Sequence, residues 1–384
     1  MAIASKIPES DGLEIYGKST VSWNEVQGNT EIVEGKPISV GLAAYGMSGQ
    51  LFHAPFIYTN PHFKLIAITE RSKNLAQQRY PKTLIYRDVE TMLTNDAIEL
   101  VVINTPDSTH YEYAKKALLA GKHVILEKPL TQTQAEAEEL IDIATRNQLM
   151  ISVFQNRRWD SDFLTVQKII KSGRLGRLVE FESTFPRYRN YIVSNTWKES
   201  GSLGGGLLYN LGAHIIDQAI QLFGMPESIY SDYDCLRTGG MVDDYFLMHF
   251  IYSSKVSHVK ITLKSSYLMC YNEPRFVLHG TEGSFVKYGL DPQEAQLKTG
   301  NLPVGDQWGT ENSSIWGTLY QQKGEQLIKE IIPSEKGDYH LFYDNVYEHL
   351  RFGKPLDTDA RLIANGALRL IELAYAHNQE TIKI

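Results

Sequence analysis

Between residues 38 and 154, short β-branched or apolar runs alternate with stretches of helical spacing, and a chain written this way has few folds open to it. The runs 38–44, 63–69, 84–86, 100–104, 123–126 and 150–154 read as strands, several of them apolar almost throughout. Strands without a polar side need cover on both faces, and strands separated by helices pair in parallel through crossover units. Residues 133–147 carry Ala135, Leu140, Ile141 and Ala144 at helical spacing, with Thr133 as N-cap and Glu136 three residues on, the pair that forms a capping box. The segment 37–156 is therefore expected to be a doubly wound α/β domain of the Rossmann type.

The rhythm changes past Asp160. Helical spacing at 163–172, a strand at 178–185, a glycine-rich segment and a helix at 208–222 lead into strands at 227–235, 244–252, 256–263 and 275–279. Strands that follow one another without helices pair antiparallel. Residues 157–384 are thus expected to form an α+β domain around a large, mainly antiparallel open sheet, with a last helix at 360–376. Residues 1–36 have no sustained periodicity beyond a strand-like piece at 19–23. They are expected to be an N-terminal extension that packs through residues 21–23 on a neighbouring surface or subunit and adds nothing to the chemistry.

Charge and composition remove several classes of function. With 38 Lys and Arg against 45 Asp and Glu, the net charge is −7 and no basic block stands out, which argues against nucleic acid as a partner. Cys235 and Cys270 lack metal-ligand spacing, so no metal site is indicated, and no run approaches the length of a membrane span. The N-terminus lacks the apolar core of a signal peptide, and a soluble, cytoplasmic protein is expected.

After the first strand stands Ala44-Tyr45-Gly46-Met47-Ser48-Gly49, a G-x-G-x-x-G turn with alanine in the first place. In such a turn the middle glycine lets a pyrophosphate approach the backbone, and the helix that follows points free N–H groups at it. About 20 residues on, at the end of the second strand, comes Glu70, a carboxylate suited to ribose hydroxyls and thus to NAD. Arg71, Ser72 and Lys73 follow it, and they could instead hold the 2′-phosphate of NADP. Both cofactors stay open, with NAD favoured by Glu70. The fourth strand ends in Asn104-Thr105-Pro106 with His110 beyond, and the fifth in Glu127-Lys128-Pro129, so both ends point into the same crevice as the glycine turn.

These segments, together with Ala120 to Val124, Gln155-Asn156-Arg157-Arg158-Trp159-Asp160 and Gly204-Gly205-Gly206 leading to His214 and Asp217, resemble the Gfo/Idh/MocA oxidoreductases over residues 38–376. The Asn-Arg-Arg-Trp and His-Ala-Pro-Phe details are most similar to the branch of NADP-linked scyllo-inositol dehydrogenases. The resemblance implies hydride transfer between NAD or NADP and a secondary hydroxyl of a cyclic polyol or sugar. It implies Lys128 as acid–base, Glu127 as its orienting partner, a cis bond before Pro129, and His214 as the second catalytic candidate. Cofactor contacts are expected from Ala44 to Gly49, Glu70, Arg71, Asn104 to Pro106, His110, Glu127, Lys128, Gln155 and Arg158. Lys128, Trp159, Tyr188, Asn210 and His214 are expected to meet the substrate.

Asn210 departs from the pattern, which has an aspartate there. An amide can bond a hydroxyl but cannot take its proton, which shifts the burden to Lys128 and leaves Asp217 as an orienting partner for His214. Pairing of the large sheets implies a homodimer or homotetramer. A pyranoside or amino-sugar substrate is the alternative within the class, and a non-catalytic sensor of dinucleotide or sugar is the alternative outside it.

Overall fold

In the computed structural model, which describes residues 35–193, 196, 199, 201, 204–252 and 259–384, the alternation before residue 156 folds as a six-stranded parallel sheet. Its strands are β1 (Ile38–Leu42), β2 (Phe63–Thr69), β3 (Leu84–Tyr86), β4 (Leu100–Ile103), β5 (His123–Leu126) and β6 (Ile151–Val153), in the order β3-β2-β1-β4-β5-β6. The direction of winding reverses between β1 and β4, which opens a crevice at their carboxyl ends. Helices α1 (Ala54–Thr59), α2 (Leu75–Arg79), α3 (Val89–Leu93), α4 (His110–Leu119) and α5 (Gln134–Arg146) cover the faces. The capping box of α5 forms as expected: Thr133 accepts from the Glu136 N–H, and the Glu136 carboxylate accepts from the Thr133 N–H.

The second sheet has nine strands: β7 (Leu178–Pro186), β8 (Ser228–Asp234), β9 (Tyr245–Ile251), β10 (Lys260–Ser266), β11 (Phe276–Gly280), β12 (Ser284–Lys287), β13 (Gly317–Lys323), β14 (Gln326–Ile332) and β15 (Thr381–Lys383). They lie in the order β14-β13-β12-β11-β7-β10-β9-β8-β15. β7 and β10 run parallel and their neighbours antiparallel, the mixed but mainly antiparallel sheet the strand runs imply. Alternate residues such as Phe181, Met248, Phe250, Ile261 and Leu263 are buried, and the opposite face carries half-exposed side chains. The buried face is covered by α6 (Ser161–Lys171), α7 (Ala213–Phe223) and the segment from α10 (Ala360–Ile363) through a π-helical turn to α11 (Arg369–Ala376). α8 (Gln293–Lys298) packs near the glycine turn.

One helix crosses the expected division of the chain. α9 (His340–Phe352) comes from the C-terminal half, yet Phe342, Tyr343, Val346 and Tyr347 pack with Val40, Phe56, Phe63 and Phe154 on the first sheet. The strand-like piece at 19–23 and the start of the run at 256–263 lie outside the described residues. Among the described residues no helix is long and apolar enough to cross a membrane.

Candidate active site

The turn after β1 is shaped from β4. Asn104 grips both backbone groups of Ala44: Oδ1 accepts its N–H at 3.0 Å and Nδ2 donates to its carbonyl at 2.9 Å. The amide is thereby spent on the turn, and it fixes the position whose usual glycine is missing. A Cβ on Gly49 would collide with Ala44 O and Asn104 Nδ2, so only glycine lets the following π-helical turn (Gly49–His53) come this close. Gly46 is exposed and a Cβ there would meet nothing within 4 Å, which leaves the backbone open to a pyrophosphate. Met47 is exposed at the same turn, while the Tyr45 ring is buried against Tyr80. These features fit a dinucleotide.

Beyond β4, His110 is buried, and its ring nitrogens lie 3.0 Å from Thr105 O and 2.9 Å from Pro129 O. It ties the loops after β4 and β5 together. Thr105 accepts from the Thr109 hydroxyl at 2.7 Å, and Pro106 leads into the turn that opens α4. At the end of β6, Gln155 is buried with Oε1 unpartnered.

The Lys128–Pro129 peptide is cis, as the resemblance implied. Glu127, just before it, is a junction of contacts. Its Oε1 accepts from the Ser48 hydroxyl and lies 3.1 Å from His53 Nε2, and its Oε2 accepts from the Lys128 N–H at 3.0 Å. His53 Nδ1 in turn faces the Tyr343 hydroxyl of α9 at 2.7 Å. Burial alone would raise the Glu127 carboxyl, but the His53 hydrogen bond and charge, the Ser48 hydroxyl and the Lys128 charge outweigh it and hold it at about 2. It is an anion that fastens the glycine turn to the lysine-bearing loop. His53 and Tyr343 were not singled out from the sequence as site residues. The His53-Ala54-Pro55-Phe56 segment was the signal available for the first, and a residue nearly three hundred positions away offers none.

Lys128 reaches across to the second domain, where Nζ donates to Asn210 O at 2.7 Å and to Asn210 Oδ1 at 3.1 Å. Asn210 sits in a second π-helical turn, Leu208–Gly212, which runs into α7, and its Nδ2 donates to the Tyr267 hydroxyl at 3.4 Å. π-Helical turns inside helices recur at functional sites, where they re-aim a side chain. The helix is capped by Asp243, which accepts from the Leu208 N–H at 2.8 Å, and a side chain on Gly206 (φ +92°) would run into that carboxylate. His214, on α7, is buried with Nδ1 unpartnered. Burial, then the charges of Lys128, Arg157 and Arg275, push its pKa well below the ordinary histidine value, so the ring is neutral.

Three assignments change in the structure. Asp217 does not orient His214: its carboxylate takes Arg158 Nε at 2.7 Å and Arg158 Nη2 at 2.6 Å. Arg158 is engaged in the same pair, with Nη1 donating to Asp357 O at 2.5 Å. The Glu70 carboxylate caps α2, accepting the N–H groups of Leu75 at 3.1 Å and Ala76 at 2.9 Å, because the chain folds back beneath it within five residues. Trp159 packs edge-on against Phe342, and Tyr188, 57% exposed, is bridged to Leu268 beside Tyr267.

A lysine presented at a strand end of a dinucleotide fold, toward a second domain that supplies its partners, is the layout of a two-domain oxidoreductase. Residues 38–155 match the model described as "Oxidoreductase family, NAD-binding Rossmann fold", and residues 163–286 match the GFO/IDH/MocA C-terminal domain. The chain belongs to the Gfo/Idh/MocA family of oxidoreductases. An uncharacterised oxidoreductase of Schizosaccharomyces pombe is 38% identical over 91% of this chain and 99% of its own. The scyllo-inositol 2-dehydrogenase (NADP(+)) of Bacillus subtilis is 34% identical over 89% of this chain and 94% of its own. Among solved structures, an oxidoreductase of Bacteroides fragilis has a TM-score of 0.84 at 53% identity, covering 91% of this chain and 100% of that one.

Proposed function

We propose that the protein is a cytoplasmic, NAD- or NADP-dependent dehydrogenase acting on a secondary hydroxyl of a cyclic polyol or sugar, with an inositol-type ring as the leading substrate. One observation carries the reading: the Lys128 ammonium is fixed on Asn210 from the opposite domain, within electrostatic reach of a neutral His214. The B. subtilis relative supports the substrate class, and so does the D-glucoside 3-dehydrogenase of Escherichia coli, 25% identical over half of this chain.

Gly46, Ser48 and Gly49 would hold the pyrophosphate, with Asn104 keeping the turn in shape. When bound, the dinucleotide supplies the hydride acceptor or donor. In reduction the Lys128 ammonium gives a proton to the substrate oxygen, and in oxidation the same Nζ, as the neutral amine, takes the hydroxyl proton. Glu127 fixes the backbone of that lysine, and Asn210 fixes its ammonium. The neutral His214 donates a ring N–H to the same hydroxyl oxygen, whose negative charge grows as its proton leaves. Residues 37–156 form the cofactor domain and 157–384 the substrate domain, and the half-exposed face of the nine-stranded sheet joins subunits in a dimer or tetramer.

Incubation with NAD and NADP across a panel of polyols and aldoses should produce reduced cofactor with a ring polyol. Lys128→Met should lower kcat by roughly 10²-fold or more while dinucleotide affinity is kept. Tight cofactor binding without turnover of any substrate would overturn the reading in favour of a sensor.

A further inference from the structure

We propose that Tyr343 and His53 are positioning residues for the reaction, acting through Glu127 to hold the glycine turn and Lys128 in one fixed relation, so that chemistry in the first domain depends on a hydroxyl supplied by α9. The inference rests on the reading above that Lys128 is the acid–base of a dinucleotide-dependent dehydrogenase. The Glu127 carboxylate is shared between the two parts. Oε1 accepts from the Ser48 hydroxyl of the turn and faces His53 Nε2 at 3.1 Å, and Oε2 accepts the Lys128 N–H at 3.0 Å. Turning the carboxylate plane moves Ser48 and Lys128 relative to each other. The Ser48 hydroxyl can swing to follow such a turn, and the Lys128 N–H belongs to the next residue of the chain. His53 is the partner that cannot follow.

The His53 ring is fully buried, with Phe154 at 4.4 Å between ring centroids and the Tyr343 hydroxyl 2.7 Å from Nδ1. An ionised Glu127 only accepts, so Nε2 presents an N–H to it. The Tyr343 hydroxyl satisfies Nδ1 in either state of the ring, donating to it when bare and accepting from it when protonated. Burial and the charge of Glu127 push the Tyr343 pKa well above the ordinary tyrosine value, so the group stays a hydroxyl. Its ring stacks on Phe56 at 6.4 Å and meets Phe63 edge-on at 5.6 Å, packing that a phenylalanine would reproduce. Among the described residues the hydroxyl bonds only to His53. The oxygen is there for His53 and not for the core.

The test is the pH profile of reduced-cofactor oxidation by the ketone of a ring polyol, the direction in which the Lys128 ammonium works, measured on the full chain. Tyr343→Phe should lower kcat and raise the cofactor KM together, by about three- to tenfold each, with the ketone KM within about twofold. The groups that face Glu127 are Ser48 from the glycine turn, His53 from the turn before α1, Lys128 from its own loop and, behind His53, Tyr343 from α9. Against burial, which raises the Glu127 carboxyl, the His53 bond and charge do most to hold it at about 2. In His53→Leu the carboxyl should rise into the working range, and kcat/KM should gain an acid limb absent from the wild type. His53→Gln, whose amide N–H can reach the same oxygen, should regain most of the lost rate and lose the limb. Should His53→Leu fail to fold, Tyr343→Phe decides. Unchanged kcat and cofactor KM in Tyr343→Phe, or equal losses in both His53 variants with no new limb, would overturn the proposal and leave the dehydrogenase reading intact. A wild type that turns over neither polyol nor ketone would overturn both.

Discussion

Folding takes His214 from water into a site where burial and the charges of Lys128, Arg157 and Arg275 all resist its protonation. The unfolded chain binds a proton at this residue below pH about 6.5, and the folded chain does not, so stability falls as the pH drops through that value. The loss should develop as the pH is taken from 6.5 to 5. Chemical denaturation at the two pH values should show the loss in the wild type and a flatter response in His214→Gln; identical slopes would count against a neutral His214. The residue types at the site were legible in the sequence, but their pairings were not. Asp217 stands three positions beyond His214 on one helix, yet it is the guanidinium of Arg158 that claims it. Glu70 stands at the customary acidic position, and the next turn of chain supplies two N–H groups to its carboxylate. Both outcomes depend on which partner the fold brings nearest, and spacing alone carries no such information.

At the level of elements, β1, β4, β5 and β6 were read to within two residues, because burial on both faces writes them as nearly unbroken apolar runs. The segment 208–222 was read as one helix, and it is a π-helical turn followed by α7. That distinction depends on a single extra residue per turn and leaves no trace in the hydrophobic spacing. The same helix depends on its cap: Gly206 takes φ +92° and leaves room for the Asp243 carboxylate to reach Leu208 N–H. Gly206→Ala therefore meets both an unfavourable backbone and a collision, and should lower stability by roughly 2 kcal/mol or more. It should also loosen Asn210, seen as a higher substrate KM in excess of any change in cofactor affinity. A melting temperature unchanged from wild type would remove the cap from the account.

For the molecule as a whole, the division at residue 156 describes the sheets but not every helix. α9 went unread because its buried face is made of Phe342, Tyr343 and Tyr347, aromatic residues that suit a strand, a helix or a surface equally well in sequence. In the fold it supplies part of the first sheet's outer cover, and Tyr343 completes the line of contacts through His53 to Glu127. Phe342→Ala should cost about 3–5 kcal/mol. Hydrogen exchange should then accelerate in β1 and β2 together with α9; acceleration confined to the C-terminal half would show that the helix is not part of the first core. Because α8 and α9 both pack with the first sheet's cluster, the polypeptide passes between the two halves after β6 and again on either side of each of these helices. A pair of jaws on one pivot swings freely, whereas jaws sewn at several points must flex all the seams together. The contact of Lys128 with Asn210 from the opposite half is thereby held in register.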